Sequence, residues 1–418
     1  MSASRTVVLV DPYAPSRRVP PVFHQAGYQV VRVQSTPERP LVYQGTLDLS
    51  PYAANIVHDG DLDATLAAVR AHDPVAVVAS GEIGVEFADL LATELGLPNN
   101  GTALSVARRD KYVQIETLRA AGLRATRQLL VTDAEQLAAW HAELGGRIVV
   151  KPIRSAAGDG VHFCSTPAES VAAYRKLLDS ENIFSRRNEG VVAQEYLVGG
   201  EYVVDTVSCD GRHHVTDMWK YEKLTANGIV DLTCGVRLLP RHGAVQEALV
   251  PYAFQVLDAL GIRYGAAHLE IKLTPDGPCL VEVGARMAGL DLPGFCQPAL
   301  GEGQLEWIVD AYTRPERFAE RAGTDYEIKQ HVVSAWAVST VEAPLKSYPM
   351  MGVIEGLESL YDIRPVVSPG GRLRRTVDDL STPLIVNLMH PVEEVVDRDF
   401  GTFRYLDGPA FYELAEDA

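Results

Sequence analysis

The sequence predicts an α/β amino-terminal domain followed by α+β lobes built on antiparallel sheet, a three-domain architecture. Three observations carry this prediction. Short β-branched runs alternate with amphipathic stretches as far as Gly101. Beyond that point the strands are short and lie among Gly-rich turns, as antiparallel sheet requires. Finally, 418 residues at about 150 per domain give about three domains.

Thr6-Val-Val-Leu-Val-Asp11 is a β-branched run, followed by a Pro-containing loop and a segment ending at Gly27. A second apolar run covers Tyr28 to Val33. The amphipathic stretch from Leu66 to Pro74 leads into Val75-Ala-Val-Val-Ala79, and Phe87 to Leu95 is helical again. Strands alternating with helices imply a parallel sheet, and we place this domain at residues 1–105. In the middle region Ile148–Lys151, Val191–Glu195 and Tyr202–Thr206 read as strands, with hairpin signals at Gly199-Gly200 and Asp210-Gly211. From about Tyr326 further short strands, His331 to Val338 and Pro383 to Leu388, suggest a smaller third lobe.

Composition removes several classes of function. With 38 basic and 55 acidic residues the net charge is −17, which offers nothing to nucleic acid or an anionic membrane. No apolar run approaches the roughly eighteen residues of a membrane span. Residues Met1 to Arg5 and the run after them are too brief for a secretory signal, so a cytoplasmic location is expected. The five cysteines are scattered and never form a C-x-x-C pair, which argues against a disulfide framework or a zinc site.

The most informative segment runs from Gly265 to Arg286. Two apolar runs flank Thr274-Pro-Asp-Gly277, a turn sequence, and should pair as a hairpin. Glu270 and Glu282 lie symmetrically about position 276, so the two carboxylates should face each other about 5 Å apart. Alternation places His268 on the face of Glu270 and turns Leu269, Ile271 and Leu273 toward a core. Two adjacent carboxylates need a cation or a shared proton, and an oxygen-only pair suits Mg²⁺ or, in its place, Mn²⁺. The alternative is a solvated sheet face neutralised by Lys272, and Arg286 could equally serve only to neutralise Glu282.

Phosphates are the natural company of such an ion. The chain has neither G-x-x-x-x-G-K-[ST] nor a G-x-G-x-x-G after its first strand, which excludes the common nucleotide fingerprints. Instead Lys151 ends a strand and Ser155-Ala-Ala-Gly-Asp-Gly-Val161 follows, a loop whose Gly158 and Gly160 can turn backbone N–H groups toward an anion. A plain hairpin with an exposed lysine is the competing reading. Lys111 lies near the start of a helix that runs to Ala121 and stops at Gly122. Gln194-Glu-Tyr-Leu-Val-Gly-Gly-Glu201 sets a glutamate on each side of a tight turn.

Taken in order, Lys111, Lys151, the glycine loop, the Q-E-x-x-x-G-x-E segment and the H-x-E…E-x-x-x-R hairpin resemble an ATP-grasp ligase over roughly residues 1–320. Val7-Val-Leu-Val-Asp-Pro-Tyr13, Gly81-Glu-Ile-Gly-Val85, Arg109-Asp-Lys111 and Gly265-Ala-Ala-His-Leu-Glu270 most resemble the L-amino-acid α-ligases that make dipeptides, including those that build peptide antibiotics. The resemblance implies a small lobe with linker helix and glycine loop at 106–200, a large lobe with the metal site at 201–325, and a carboxy-terminal α+β lobe at 326–418. It implies that Lys111 and Lys151 contact ATP phosphates under a lid containing Ser155, Gly158 and Gly160. Glu195, Tyr196 and the backbone through Val198 would meet the adenine, Glu201 the ribose, and Leu269 the base from below. Glu270 and Glu282 would hold the metal, with Glu282, Lys151 and Arg286 as the catalytic set. Arg286, His268, Gly289 and Leu290 would contact the amino-acid substrates, Leu290 hinting at a roomy pocket.

The implied reaction is ATP-dependent joining of two L-amino acids through an acyl phosphate, with small-molecule partners and a homodimer as the commonest assembly. Alternatives are an acceptor that is not a free amino acid (a carrier-protein thiol, a polyamine or a γ-glutamyl acceptor) and a nucleotide-binding regulator without turnover. One departure stands out: many relatives carry Asn two residues after the second metal glutamate, where this chain has Gly284. The loops Tyr221–Thr233 and Met287–Phe295 are expected to line the substrate pockets.

Overall fold

A computed structural model describes residues 5–13 and 16–415; the expectation about the leader residues before Arg5 lies outside them. Thr6–Val10 (β1), Gln29–Gln34 (β2), Ala54–Val57 (β3) and Pro74–Ala79 (β4) form a parallel sheet in the order β3-β2-β1-β4. All five residues of β1 are buried, because helices cover both faces of a parallel sheet. Strand β3 was not foreseen: Asn55 and Val57 on this edge strand are exposed, so its apolar signal is short.

Gln128–Val131 (β5), Ile148–Pro152 (β6), His162–Cys164 (β7) and Val191–Glu195 (β8) make an antiparallel sheet in the order β5-β8-β6-β7. Helices Ala134–Leu144 and Pro167–Leu178 bury Leu137, Ala173 and Leu177 against it. The helix carrying Lys111 spans Lys111–Ala120, capped by the Asp110 carboxylate, which accepts from the backbone N–H groups of Tyr112 and Val113.

The largest sheet has eight strands. Gly200–Cys209 (β9), Arg212–Ala226 (β10), Ile229–Leu238 (β11), Gly265–Thr274 (β12), Gly277–Gly284 (β13) and His331–Trp336 (β14) run in the order β13-β12-β9-β10-β11-β14. Leu384–His390 and then Leu360–Pro365 extend it, so the sheet continues across the boundary drawn at residue 325. The hairpin expected at Gly199-Gly200 does not form. Strands β8 and β9 belong to different sheets, and Gly199 is a crossing point where a Cβ would stand 2.1 Å from the Leu273 carbonyl oxygen. Asp210-Gly211 does turn β9 into β10, both residues at positive φ. Asn227-Gly228, the stronger signal, turns β10 into β11, so Tyr221–Thr233 is two paired strands and a tight turn rather than a loop.

The amino-terminal domain is locked to the large lobe by Arg108. Its guanidinium pairs with Asp89 at 2.7 Å and donates to the carbonyls of Asn100, Gly101, Leu260 and Gly261, while both charged side chains are buried. Arg108→Met leaves Asp89 buried without its cation, and the expected cost is about 3–5 kcal/mol. It should appear as a lower urea midpoint; a loss below about 1 kcal/mol would contradict this weight for the pair.

Candidate functional site

The hairpin β12–β13 pairs Glu270 directly with Glu282, by a route the symmetry argument did not contain. The turn closes at Thr274–Gly277 and the pairing continues through Ile271 with Leu280, which on its own would set Glu270 against Val281. A bulge at Val281 shifts the register by one residue and brings the carboxylates opposite each other. His268, Glu270 and Lys272 share the face of β12 that meets Asp205, Val203 and Glu201 of β9.

Each glutamate is held from one side. The Tyr221 hydroxyl donates to Glu270 Oε1 at 3.1 Å, and His268 Nε2 lies 3.5 Å from the same oxygen. The Lys111 ammonium stands 3.0 Å from Glu282 Oε2 and donates to the Ser155 carbonyl at 2.7 Å. Among the described residues the second oxygen of each carboxylate makes no hydrogen bond or ion pair. Burial disfavours the His268 imidazolium, but Asp205, 2.7 Å from Nδ1, and Glu270 outweigh it and push its pKa up to about 10. His268 is thus a charged support for Glu270. Burial would raise Glu270, yet His268, Lys223 and Tyr221 together hold it well below the usual carboxylate range.

Two cavities meet at this pair. The first is lined by Lys111, Lys151, Ser155–Asp159, Glu195–Leu197, Glu201, Leu280 and both glutamates. The second, of about 330 Å³, is lined by Tyr13, Tyr43, Glu82, His268, Arg286, Gly289 and Leu290, and by both glutamates again. Glu195 accepts from the backbone and side chain of Arg127 at 2.8 and 2.7 Å. Glu201 lies 3.4 Å from Lys223 and 3.7 Å from Lys272. Lys272 also pairs with Asp231 at 2.5 Å, and Tyr196 donates to Asp231 at 2.9 Å, so Lys272 belongs to the first cavity's floor and does not neutralise the facing glutamates.

Three expected residues fall elsewhere. Val198 is 65% exposed and leaves its place on the wall to Leu197. Leu269 is fully buried in the core behind the sheet, as the alternation along β12 requires, and Leu280 lines the cleft instead. Gly160 does not line the cleft; a Cβ there would press on Pro152 and Leu177 at 2.9 Å, so its requirement is packing. Lys151 is buried at the end of β6 and does line the cleft, contrary to the exposed-lysine alternative.

Arg286 Nε lies 3.0 Å from Glu82 of the amino-terminal domain. A Cβ on Gly284 would stand 2.9 Å from the Arg286 guanidinium carbon, the mobile end of a flexible side chain, so nothing in the backbone there requires glycine. Lys223 and Asp231 lie within Tyr221–Thr233, the segment expected to line a pocket, and Glu82 within the Gly81–Val85 segment, though none was named as a site residue; Asp379 had no sign beyond the acidic dipeptide Asp378-Asp379.

The ATP-grasp domain family matches residues 145–293. Dapdiamide A synthase of Enterobacter agglomerans is 30% identical over 99% of this chain and 98% of its own. The L-arginine-specific L-amino acid ligase of Bacillus subtilis is 24% identical over 51% of each chain. The crystal structure of an L-amino acid ligase from Bacillus licheniformis superimposes with a TM-score of 0.74 over the full length of both chains at 17% identity. The chain belongs to the ATP-grasp family. It is an ATP-dependent ligase that forms carbon–nitrogen bonds. Among the described residues no helix is long and apolar enough to cross a membrane, and all five cysteines are buried and free of disulfides.

Burial pushes the Lys151 pKa down to about 8, with Glu282 opposing the fall and Lys111 adding to it. Below that pH the side chain is an ammonium; above it, a neutral amine with little attraction for phosphate. If Lys151 meets the nucleotide's phosphates, binding at higher pH must bring a proton in. The affinity for ADP, measured by calorimetry at about pH 7 and about pH 9.5, should fall at the higher pH, and Lys151→Arg, charged throughout, should flatten the profile. An equal fall in the variant would contradict the assignment to Lys151.

Proposed function

We propose that this ligase joins two L-amino acids, activating the carboxylate of one as an acyl phosphate for attack by the amine of the other. The observation that carries the reading is the facing pair Glu270 and Glu282 at the junction of two cavities, one walled by lysines and a glycine loop, the other by aromatic and apolar side chains with one arginine.

The pair fits a divalent cation: two hard oxygen donors face each other, each with a second oxygen free of protein partners. Among the described residues no group of three or more His, Cys, Asp or Glu side chains could hold a metal alone. A pair of carboxylates suits Mg²⁺, which keeps waters and phosphate oxygens in its shell. When bound, Mg²⁺ would neutralise charge on the phosphoryl oxygens. In this scheme Lys111 and Lys151 hold the phosphates, the Ser155–Val161 loop closes over them and keeps water from the acyl phosphate, and Glu195, Tyr196 and Leu197 meet the adenine. Glu201 takes the ribose hydroxyls. Arg286, fixed by Glu82, stabilises the transferred phosphoryl group and then the tetrahedral oxyanion. His268 keeps Glu270 in place, while Gly289 and Leu290 border the amino-acid pocket. The net charge of −17 suits small-molecule partners rather than nucleic acid, and the use of ATP suits a cytoplasmic enzyme.

Glu282→Gln should remove ATP-dependent phosphate release by at least about a hundredfold, as loss of a phosphoryl-stabilising group does, while the protein stays folded. Retention of most activity would end the metal assignment. A panel of amino-acid pairs and other amines, read by phosphate release with mass spectrometry of the product, identifies the acceptor class. Lys151→Ala should weaken nucleotide binding, whereas Lys176→Ala, on the exposed face of the helix Pro167–Leu178, should leave it unchanged. Equal losses would refute that ranking.

A further inference from the structure

An amine attacking an acyl phosphate must first give up a proton, because the ammonium form of an amino acid has no free electron pair. The acceptor of that proton has to stand where the activated carbon sits, at the junction of the two cavities. Side chains lining both cavities are those of Ala156, Ala157, Tyr221, Glu270, Glu282 and Asp379. Glu270 and Glu282 are committed to the cation site. Tyr221 donates to Glu270, and burial with Glu270 beside it pushes its pKa far up, so it stays a phenol. Glu82, which lines only the second cavity, is tied to Arg286, and His268 is a cation.

Asp379 is left. Its carboxylate has no hydrogen-bond or ion-pair partner among the described residues. It nevertheless sits on a firmly held turn. Asp378 caps the 3-10 turn Asp379–Ser381, accepting from the Ser381 backbone N–H at 2.9 Å and from its hydroxyl at 2.6 Å. Thr376, just before it, donates its backbone N–H to the Ser339 carbonyl, and the Asn227 amide bonds both the Ser339 and Thr376 carbonyls. The turn also faces the glycine loop, with Asp378 Cβ 3.5 Å from the position a Gly158 Cβ would take.

We propose that Asp379 receives the amine of the acceptor and takes its proton as the nitrogen attacks the acyl phosphate. The inference rests on the ligase reading above. One proton of the ammonium passes to the Asp379 carboxylate. The freed electron pair forms the bond from nitrogen to the acyl carbon, and the bond from that carbon to the phosphate oxygen breaks. The second proton leaves the nitrogen with the departing phosphate as hydrogen phosphate. The surroundings suit this role. Desolvation raises the Asp379 carboxyl to about 6, Lys223 opposing the rise and Glu270, Asp378 and Glu201 adding to it, which makes it a better proton acceptor than a free aspartate. Tyr221 is the other titratable group acting on it across the junction.

The test uses two acceptors on the full-length enzyme with ATP and Mg²⁺. Hydroxylamine attacks acyl phosphates as an unprotonated nucleophile at neutral pH and needs no base, whereas an amino acid does. Asp379→Asn should lower kcat/KM for the amino-acid acceptor by about a hundredfold or more, while hydroxamate formation changes by less than about threefold. Asp379→Glu, which keeps a carboxylate, should recover part of the lost rate, and Asp379→Ser serves if the amide variant fails to fold. Equal losses with both acceptors, or no loss with the amino acid, would overturn the assignment. If the unaltered enzyme forms no hydroxamate from any amino acid, the acyl-phosphate reading itself fails, an outcome separate from failure of Asp379.

Discussion

Two like charges held face to face are unfavourable in the absence of something that wants them there, and this molecule is organised around keeping Glu270 and Glu282 in that position. A bulge at Val281 sets their register, His268 and Lys111 each shield one of them, and Asp205 holds the His268 charge in turn. We read the arrangement as a receptor for a further positive charge, in line with the function proposed above. Each carboxylate has one oxygen fixed by protein cations or hydroxyls and one that is free, and the lysines that would repel a bare metal would attract its phosphates.

The lobes meet at this pair. The amino-terminal domain contributes Glu82, which steadies Arg286; the segment 148–161 contributes Lys151 and the glycine loop; the strands beyond residue 325 extend the same sheet, and the segment between Leu360–Pro365 and Leu384–His390 brings Asp379. In the proposed function, activation of the carboxylate and attack of the amine share one junction, where the two cavities have lining residues in common.

Local grammar made the hairpin, the helix start at Lys111, the strand end at Lys151 and the alternation of His268, Glu270 and Lys272 readable from sequence. The alternation even contained the correction for Leu269, because a residue between two site positions on a strand must face the core. What stayed hidden depends on contacts between distant segments. Glu82 and Asp379 lie far from the hairpin in sequence and carry no spacing signal. Lys272 and Asp231 find each other only because β10 and β11 fold over the cleft. The Asn227-Gly228 turn was readable and would have shown Tyr221 and Lys223 to lie on a strand.

The central claim is that Glu270 and Glu282 jointly hold a divalent ion that carries the nucleotide's phosphates. Crystals grown with Mn²⁺ and ADP test it directly, because anomalous scattering locates the ion without reference to activity. The account predicts an anomalous peak within coordination distance of both carboxylates and of a phosphate oxygen. A peak elsewhere, or side chains of Glu270 and Glu282 directed apart with ADP bound, would contradict it.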